Sequence, residues 1–177
     1  GQGRAADVET VLRDACRRYA ERAAPRLALA EWLARQAQLD PARAALSDPN
    51  SVAPDERVRL QRARALLEVS QGDRATGIKQ LGEMAAARSD DVTLRALLLR
   101  LPEVAQDAPR AAALLAEMRA AEGDGGVQWR LAQARLMLGS ADWHAHAQAA
   151  VDLLKACLAA DPTQPDANLL LGGLYEN

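Results

Sequence analysis

The chain has 177 residues, enough for one globular domain with a hydrophobic core or for a short run of stacked repeats. Its formal net charge is −2, from 22 Lys and Arg residues against 24 Asp and Glu residues, whereas domains that bind nucleic acid through phosphates are usually basic. No apolar run approaches the roughly 18 residues needed to cross a bilayer. We therefore predict neither nucleic-acid binding nor a membrane span in this segment.

The amino-acid usage favours helices along the whole chain. Phe is absent and aromatic residues make up only 3% of the sequence, while Ala, Leu and Arg are abundant. Ala, Leu and Arg have high helix propensities, and the aromatic and β-branched residues that strands prefer are scarce. This composition predicts an all-α fold.

In the first half of the chain, apolar residues recur at the i, i+3, i+4 spacing of amphipathic helices. The stretch 48–54 contains two prolines and several turn-forming residues, which oppose helix continuation. Pro54-Asp55-Glu56 is typical of a helix start, because the acidic side chains face the positive end of the helix dipole. The helices predicted here cover residues 6–22, 24–38, 40–47, 54–71 and 74–88.

The second half continues the alternation of helices and short breaks. Pro102 is expected to end a helix early, and Gly123-Asp124-Gly125-Gly126 forms the clearest turn in the sequence. Asp161-Pro162 predicts a further break before the last helix. The helices predicted here cover residues 91–101, 108–122, 127–138, 143–159 and 165–176.

A pattern of three residues recurs in the second helix of three successive helix pairs. The pattern is a small residue, a Leu and a Met or Cys, and its steps are 34 and then 39 residues. The triplets are Gly77, Leu81, Met84; Ala111, Leu115, Met118; and Ala150, Leu154, Cys157. Stacked identical units account for such a repeat, whereas a single closed bundle does not. We expect one domain over residues 1–177: an open right-handed superhelix (solenoid) of about four antiparallel helix pairs, with a partial repeat over 165–177.

Several local motifs match this architecture in a known family. They are Gln71-Gly72-Asp73, Asp161-Pro162, Asn168, Leu171-Gly172 and Tyr175. With a period near 34 residues, they resemble the tetratricopeptide repeat, and the resemblance is clearest over residues 55–177. The resemblance implies a non-catalytic scaffold that binds a peptide or a partner helix in a concave groove. It also implies that the Gly of Leu171-Gly172 allows two helices to approach closely.

The resemblance further implies which residues would contact a partner, because the first helices of successive repeats line the groove in this family. The expected groove residues are Arg59, Arg62, Leu66, Arg100 and Arg135. Four arginines would suit an acidic peptide or a C-terminal carboxylate, through charge-assisted forked hydrogen bonds. The alternative is that these arginines are solvated or paired along their own helices.

No constellation of residues indicates catalysis or metal binding. His144 and His146 are two residues apart and therefore point to different faces of a helix. Cys16 and Cys157 lie too far apart to form a metal motif and are expected to be small buried hydrophobes. We therefore predict no enzyme activity, no cofactor and no metal. Trp143 is expected either to fill a gap within its repeat or to be an exposed anchor for a partner.

Three questions stay open at the level of sequence. The apolar face of residues 169–175 has no following helix, so the chain is either a fragment of a longer array or pairs there with a partner or a second copy. The segment is expected to belong to a larger bacterial protein, in the cytoplasm or the periplasm. An alternative function is a helical appendage of an enzyme whose catalytic domain lies outside this segment. RNA binding is a third, and the acidic charge balance argues against it.

Overall fold

A computed structural model of the chain describes residues 2–176, with side chains placed over 7–175. Within these residues it contains α-helices and one short 3₁₀ turn, and no strand, which confirms the all-α prediction. The helices are α1 (Gln2–Arg18), α2 (Ala23–Arg35), α3 (Leu39–Ala45), α4 (Pro54–Gln71), α5 (Arg74–Ala86), α6 (Val92–Leu99), α7 (Pro102–Ala105), α8 (Ala108–Glu122), α9 (Val127–Leu138), α10 (Trp143–Ala160) and α11 (Pro165–Glu176). The 3₁₀ turn covers Pro49–Ser51.

Where the sequence carries explicit start and stop signals, the predicted bounds agree with the structure to within two residues. Helix α4 begins at Pro54, and α8 ends before Gly123, whose φ of 75° lies in the left-handed region that glycine adopts without strain. Helix α6 ends at Leu99, and Pro102 opens the separate short helix α7. This agrees with the expectation that Pro102 shortens the preceding helix, although α7 itself was not predicted.

Helices α1 and α2 end earlier than predicted. Helix α1 ends at Arg18 rather than at residue 22, and α2 ends at Arg35 rather than at residue 38. After α2, Ala37 adopts a φ of 58°, and the Gln38 amide donates to the Leu33 carbonyl over 2.9 Å. This is a helix-ending turn that glycine usually forms, so no residue type in the sequence signals it.

The chain divides into two compact units, Gly1–Glu83 and Met84–Asn177, with the boundary inside α5. Gly1 and Asn177 lie outside the described residues, and so do the outer ends of the predicted 1–177 domain and 165–177 repeat. Each unit has its own hydrophobic core, described separately below. The single superhelical domain expected from the sequence stays a prediction.

In the first unit, α2 packs against α1, α3 and α4. The shared core is apolar and fully or nearly fully buried, and its members are Ala23, Leu29, Ala30, Leu33, Ala42, Leu46, Val52, Leu60 and Leu67. A buried carboxylate joins α3 to α4: the Arg43 Nε and Nη2 atoms donate to the two oxygens of Glu68 over 2.7 and 2.6 Å. The Asp73 amide also donates to Glu68, over 3.0 Å, so the same carboxylate anchors the turn after α4.

Gly77 marks a close approach between α4 and α5. A Cβ at this position would lie 2.6 Å from the Ala65 carbonyl oxygen and 2.7 Å from the Val69 amide nitrogen. Both are backbone atoms, so the two helices could not keep their spacing around any larger residue. The small residue that the repeat pattern singled out at position 77 is therefore required by packing.

In the second unit, α9 packs against α8 and α10, α10 packs against α11, and α6 contacts both α8 and α9. One core cluster is formed by Leu131, Ala134, Ala150, Leu154, Cys157, Ala167 and Leu171. The three residues of the last triplet are completely buried, as a repeated packing position requires. In α8, Ala111 and Met118 are buried, but Leu114 rather than Leu115 fills the middle position.

Two side chains stabilise the helix junctions of the second unit. Arg95 is almost fully buried, and its guanidinium donates to the carbonyls of Ala85, Arg88 and Asp91 over 2.7–3.1 Å and to Glu117 over 2.7 Å. Three of these four hydrogen bonds close the turn before α6, and the fourth joins α6 to α8 through Glu117. At the turn before α9, the indole nitrogen of Trp129 donates to a backbone carbonyl over 3.0 Å.

Candidate functional site

The largest described cleft of the second unit lies between the α6–α7 segment and α9. It has a volume of about 830 Å³ and is lined by Leu99, Arg100, Pro102, Ala105, Gln106, Arg135, Leu136, Gly139, Ser140 and Ala141. The break at Pro102 creates one wall, because it separates α7 from α6. The lining is mostly apolar, with two arginines and a few neutral polar groups. The volume of this cleft falls within the range of pockets that bind small molecules.

Two of the predicted groove arginines meet at this cleft. Arg100 follows the last turn of α6 and Arg135 lies in the last turn of α9, and the Nη2 atom of each contacts the same oxygen, Asp166 Oδ2. The Arg100 contact measures 3.1 Å and the Arg135 contact 2.5 Å. Asp166 lies in the first turn of α11 and does not line the cleft. Three helices of the unit are therefore joined through one carboxylate at the edge of the cleft.

The electrostatics of this ion-pair cluster favour a bound anion. Hydrogen bonding from Arg135 lowers the pKa of Asp166, partial burial opposes the shift, and Arg100 lowers the pKa further. The side chains of Arg100, Arg135 and Asp166 keep 54%, 26% and 40% of their surface exposed. Two cations and one anion leave the cluster with one net positive charge. A second carboxylate that approached from the cleft would be attracted.

The first unit contains a smaller cleft between α2 and α4. Its volume is about 420 Å³, and its lining residues are Leu27, Ala30, Glu31, Ala34, Leu46, Ala63, Leu66, Leu67, Val69 and Ser70. Leu66, one of the predicted groove residues, is thus part of a cleft wall. Arg59 pairs with Glu56 of its own helix over 3.1 Å. For this residue the structure agrees with the alternative, in which the arginines pair along their own helices. Arg62 is half-buried and has no ion-pair partner among the residues that the structure describes.

The five predicted groove residues are divided between the two units. Arg59, Arg62 and Leu66 lie in the first unit, and Arg100 and Arg135 lie in the second. The structure brings Arg100 and Arg135 together on one carboxylate. Sequence reasoning missed Asp166, the residue that holds them. Asp166 was predicted to lie near the start of a helix, but its two partners lie 66 and 31 residues earlier in the chain, so both contacts are tertiary.

The histidines and cysteines have ordinary structural roles in the described part of the chain. His146 Nε2 lies 3.2 Å from Asp142 Oδ2, and the His144 ring stacks on half-buried Trp143 with the ring centres 3.7 Å apart. Burial raises the pKa of the Cys157 thiol, which favours the unreactive protonated form. No group of three or more His, Cys, Asp and Glu side chains is placed to hold a metal ion among the described residues.

Helix α11 carries an exposed apolar surface. Leu169 and Tyr175 keep 75% and 70% of their surface accessible, while Leu171 is buried against α10. Apart from the chain neighbours of Gly172 and the backbone of α11 itself, no atom lies within 4 Å of the position that a Cβ would take at Gly172. The close helix approach that the Leu171-Gly172 motif implied is therefore absent among the described residues.

Comparison of the chain with protein-family models, with curated proteins and with solved structures gives no match. Among the described residues, no helix combines the length and the apolar character that crossing a membrane requires. The functional conclusion consequently depends on the residues and the geometry described above.

Proposed function

We propose that this chain is a non-catalytic, protein-binding scaffold built from tetratricopeptide-like helix pairs. Its cleft between α6–α7 and α9 would bind an apolar segment of a partner protein that carries a carboxylate. The observation that supports this function is the meeting of Arg100 and Arg135, from two different helices, at the edge of an apolar cleft. The apolar walls would bury partner side chains, and the guanidiniums would orient the partner through its carboxylate.

The order of helix contacts supports the repeat part of the proposal. In the first unit α2 contacts α4 across the intervening α3, and in the second unit α6 contacts α9 across α7 and α8. In both units a cleft lies between these alternate helices. A stack of helix pairs produces contacts of this kind, because the first helix of each pair packs against the first helix of the next. The open superhelix expected from the sequence is part of the same proposal.

A display selection tests the proposed ligand chemistry without a known partner. A phage library of random peptides with free C-termini would be selected on the wild type and on the double variant Arg100→Gln, Arg135→Gln. We expect the wild type to enrich sequences with apolar residues followed by an acidic residue or the terminal carboxylate. The double variant should lose these clones, because hydrogen bonds to a charged group contribute about 1.5–3 kcal/mol each.

A control double variant separates the cleft from the general charge of the unit. Arg110→Gln combined with Lys155→Gln also removes two positive charges, one from α8 and one from α10, at residues that do not line the cleft. This variant should enrich the same clones as the wild type. Enrichment of sequences without apolar residues next to an acidic residue or the C-terminus, or retention of the enriched clones by the cleft double variant, would contradict the proposed function.

A further inference from the structure

Asp166 occupies the two guanidiniums that the proposed function assigns to a partner. The contact recorded for each arginine joins its Nη2 atom to the same oxygen, Oδ2. A guanidinium carries five N–H donors in a planar fork that matches a carboxylate with two parallel hydrogen bonds. The arrangement with Asp166 therefore uses a small part of the binding capacity of the pair.

The position of Asp166 makes its carboxylate replaceable. Asp166 belongs to α11 and lies outside the cleft lining, whereas Arg100 and Arg135 both line the cleft. The carboxylate keeps 40% of its surface exposed, so water can solvate it when it is released. Exposed ion pairs contribute little to stability, because solvent screens them and ordering long side chains costs entropy. Release of Asp166 would therefore cost little.

We propose that Asp166 is an internal competitor of the partner, and that it determines which ligands the cleft accepts. A ligand carboxylate gains its full affinity when it displaces Asp166 from Arg100 and Arg135. Uncharged apolar segments gain nothing from the guanidiniums, and weak anions do not displace the intramolecular carboxylate, which is present at high effective concentration. This inference rests on the proposed function, because it assigns a regulatory role at the same cleft.

A titration with a small carboxylate tests the competition. The probe is N-acetyl-leucine, which combines an apolar side chain with a free carboxylate, and its uncharged control is N-acetyl-leucinamide. The Nε–Hε NMR signals of Arg100 and Arg135 report binding in the full chain. We expect Asp166→Asn to bind N-acetyl-leucine at least about fivefold more tightly than the wild type, because the competing ion pair is gone. Binding of the amide should be equal in both proteins.

Two further variants make the result unambiguous. Asp152→Asn removes one negative charge from an exposed residue of α10 that bonds only to Gln148 among the described residues, and it should bind like the wild type. Asp166→Ser should reproduce the gain of Asp166→Asn, and it replaces that variant if circular dichroism shows that the asparagine protein is unfolded.

The outcomes separate the inference from the proposed function. If Arg100 and Arg135 respond to the carboxylate equally in the wild type and in both Asp166 variants, Asp166 is not a competitor, but the cleft still binds carboxylates. If neither arginine responds to the carboxylate in any of these proteins, the proposed function fails together with the inference. A gain that is also found with Asp152→Asn would show a general effect of charge and would overturn the inference.

Discussion

Replacement of Gly77 by Ala tests the packing of α4 against α5 most sharply. The added Cβ would lie 2.6 Å from the Ala65 carbonyl oxygen and 2.7 Å from both the amide nitrogen and a side-chain methyl carbon of Val69. Carbon atoms in contact normally stay about 3.5–4.0 Å apart, so each of these contacts is about 1 Å too short. Two of the three atoms belong to the backbone of α4 and cannot rotate away. The helices must separate.

The expected change in the free energy of unfolding for Gly77→Ala is the sum of two opposing effects. Overpacking of a well-packed core costs about 1–3 kcal/mol, and the higher helix propensity of Ala returns at most about 1 kcal/mol. We expect a net loss of about 1–2 kcal/mol in the free energy of unfolding, measured by urea denaturation with circular dichroism. The matched control is Gly172→Ala in α11, where nothing outside α11 lies within 4 Å of the new Cβ. That change should stabilise the protein by about 0.5–1 kcal/mol through propensity alone.

Comparison of Gly77→Ala with Gly172→Ala tests whether α4 and α5 approach closely at Gly77. If Gly77→Ala is as stable as Gly172→Ala, α4 and α5 do not approach as closely as described. Equal destabilisation by both variants would also contradict the reasoning, because it would mean that α11 is covered at Gly172.

Two buried charge clusters give further predictions. Hydrogen bonding from Arg43 lowers the pKa of Glu68 in the folded protein, so the unfolded chain binds a proton at Glu68 more readily. The stability that this ion pair contributes is therefore lost as the pH falls below about 4.3, the pKa of Glu in an unfolded chain, and through the lower pKa of the folded state. Glu68→Gln should lower the free energy of unfolding by about 1–3 kcal/mol near neutral pH, and acidification should then destabilise it less than the wild type. The control Glu83→Gln removes a carboxylate from an exposed ion pair and should change the free energy of unfolding by less than about 0.5 kcal/mol. Urea midpoints at several pH values check both, and an unchanged acid dependence in Glu68→Gln would contradict the pairing. Arg95→Met should cost about 3 kcal/mol, because it leaves buried carbonyls such as that of Ala85 without a donor; a loss below about 1 kcal/mol would show that water replaces the guanidinium.

Local chemistry accounts for most of the helix bounds that could be predicted from the sequence. Pro54 with the acidic residues after it, and the glycine-rich turn that begins at Gly123, are signals that act within a few residues of the helix ends. The ends of α1 and α2 could not be predicted in the same way. The turn after α2 places Ala37 in the left-handed region, a conformation that its residue type disfavours and that the surrounding contacts must enforce.

The repeat pattern predicted buried positions well where a helix has simple neighbours. All three residues of the α10 triplet are buried, whereas in α8 the middle position moves to Leu114. Helix α8 contacts α7 in addition to α6 and α9, and α7 exists because the chain restarts at Pro102. An inserted element changes which face of its neighbour is covered, and a fixed sequence frame does not include that change.

The candidate site could be predicted only in part, because the ion-pair partners of its arginines depend on the tertiary structure. The tetratricopeptide resemblance predicted Arg100 and Arg135 as groove residues, but the sequence does not reveal which carboxylates are near them in space. Arg59 pairs within its own helix, which the i, i+3 spacing to Glu56 allows, and Arg100 pairs with a residue far along the chain. The role of Asp166 depends wholly on tertiary structure.

The most direct test of the central claim locates a carboxylate on the protein surface. A nitroxide that carries a carboxylic acid would be added to the isotope-labelled chain, with the corresponding nitroxide carboxamide as the uncharged control, and relaxation enhancement of the backbone amides would be measured by NMR. We predict that the acid, but not the amide, selectively broadens residues around the cleft, such as Leu99, Gln106 and Leu136, and that the variant Arg100→Gln, Arg135→Gln loses this effect. Equal broadening by acid and amide, or broadening centred on residues that do not line the cleft, would contradict the account.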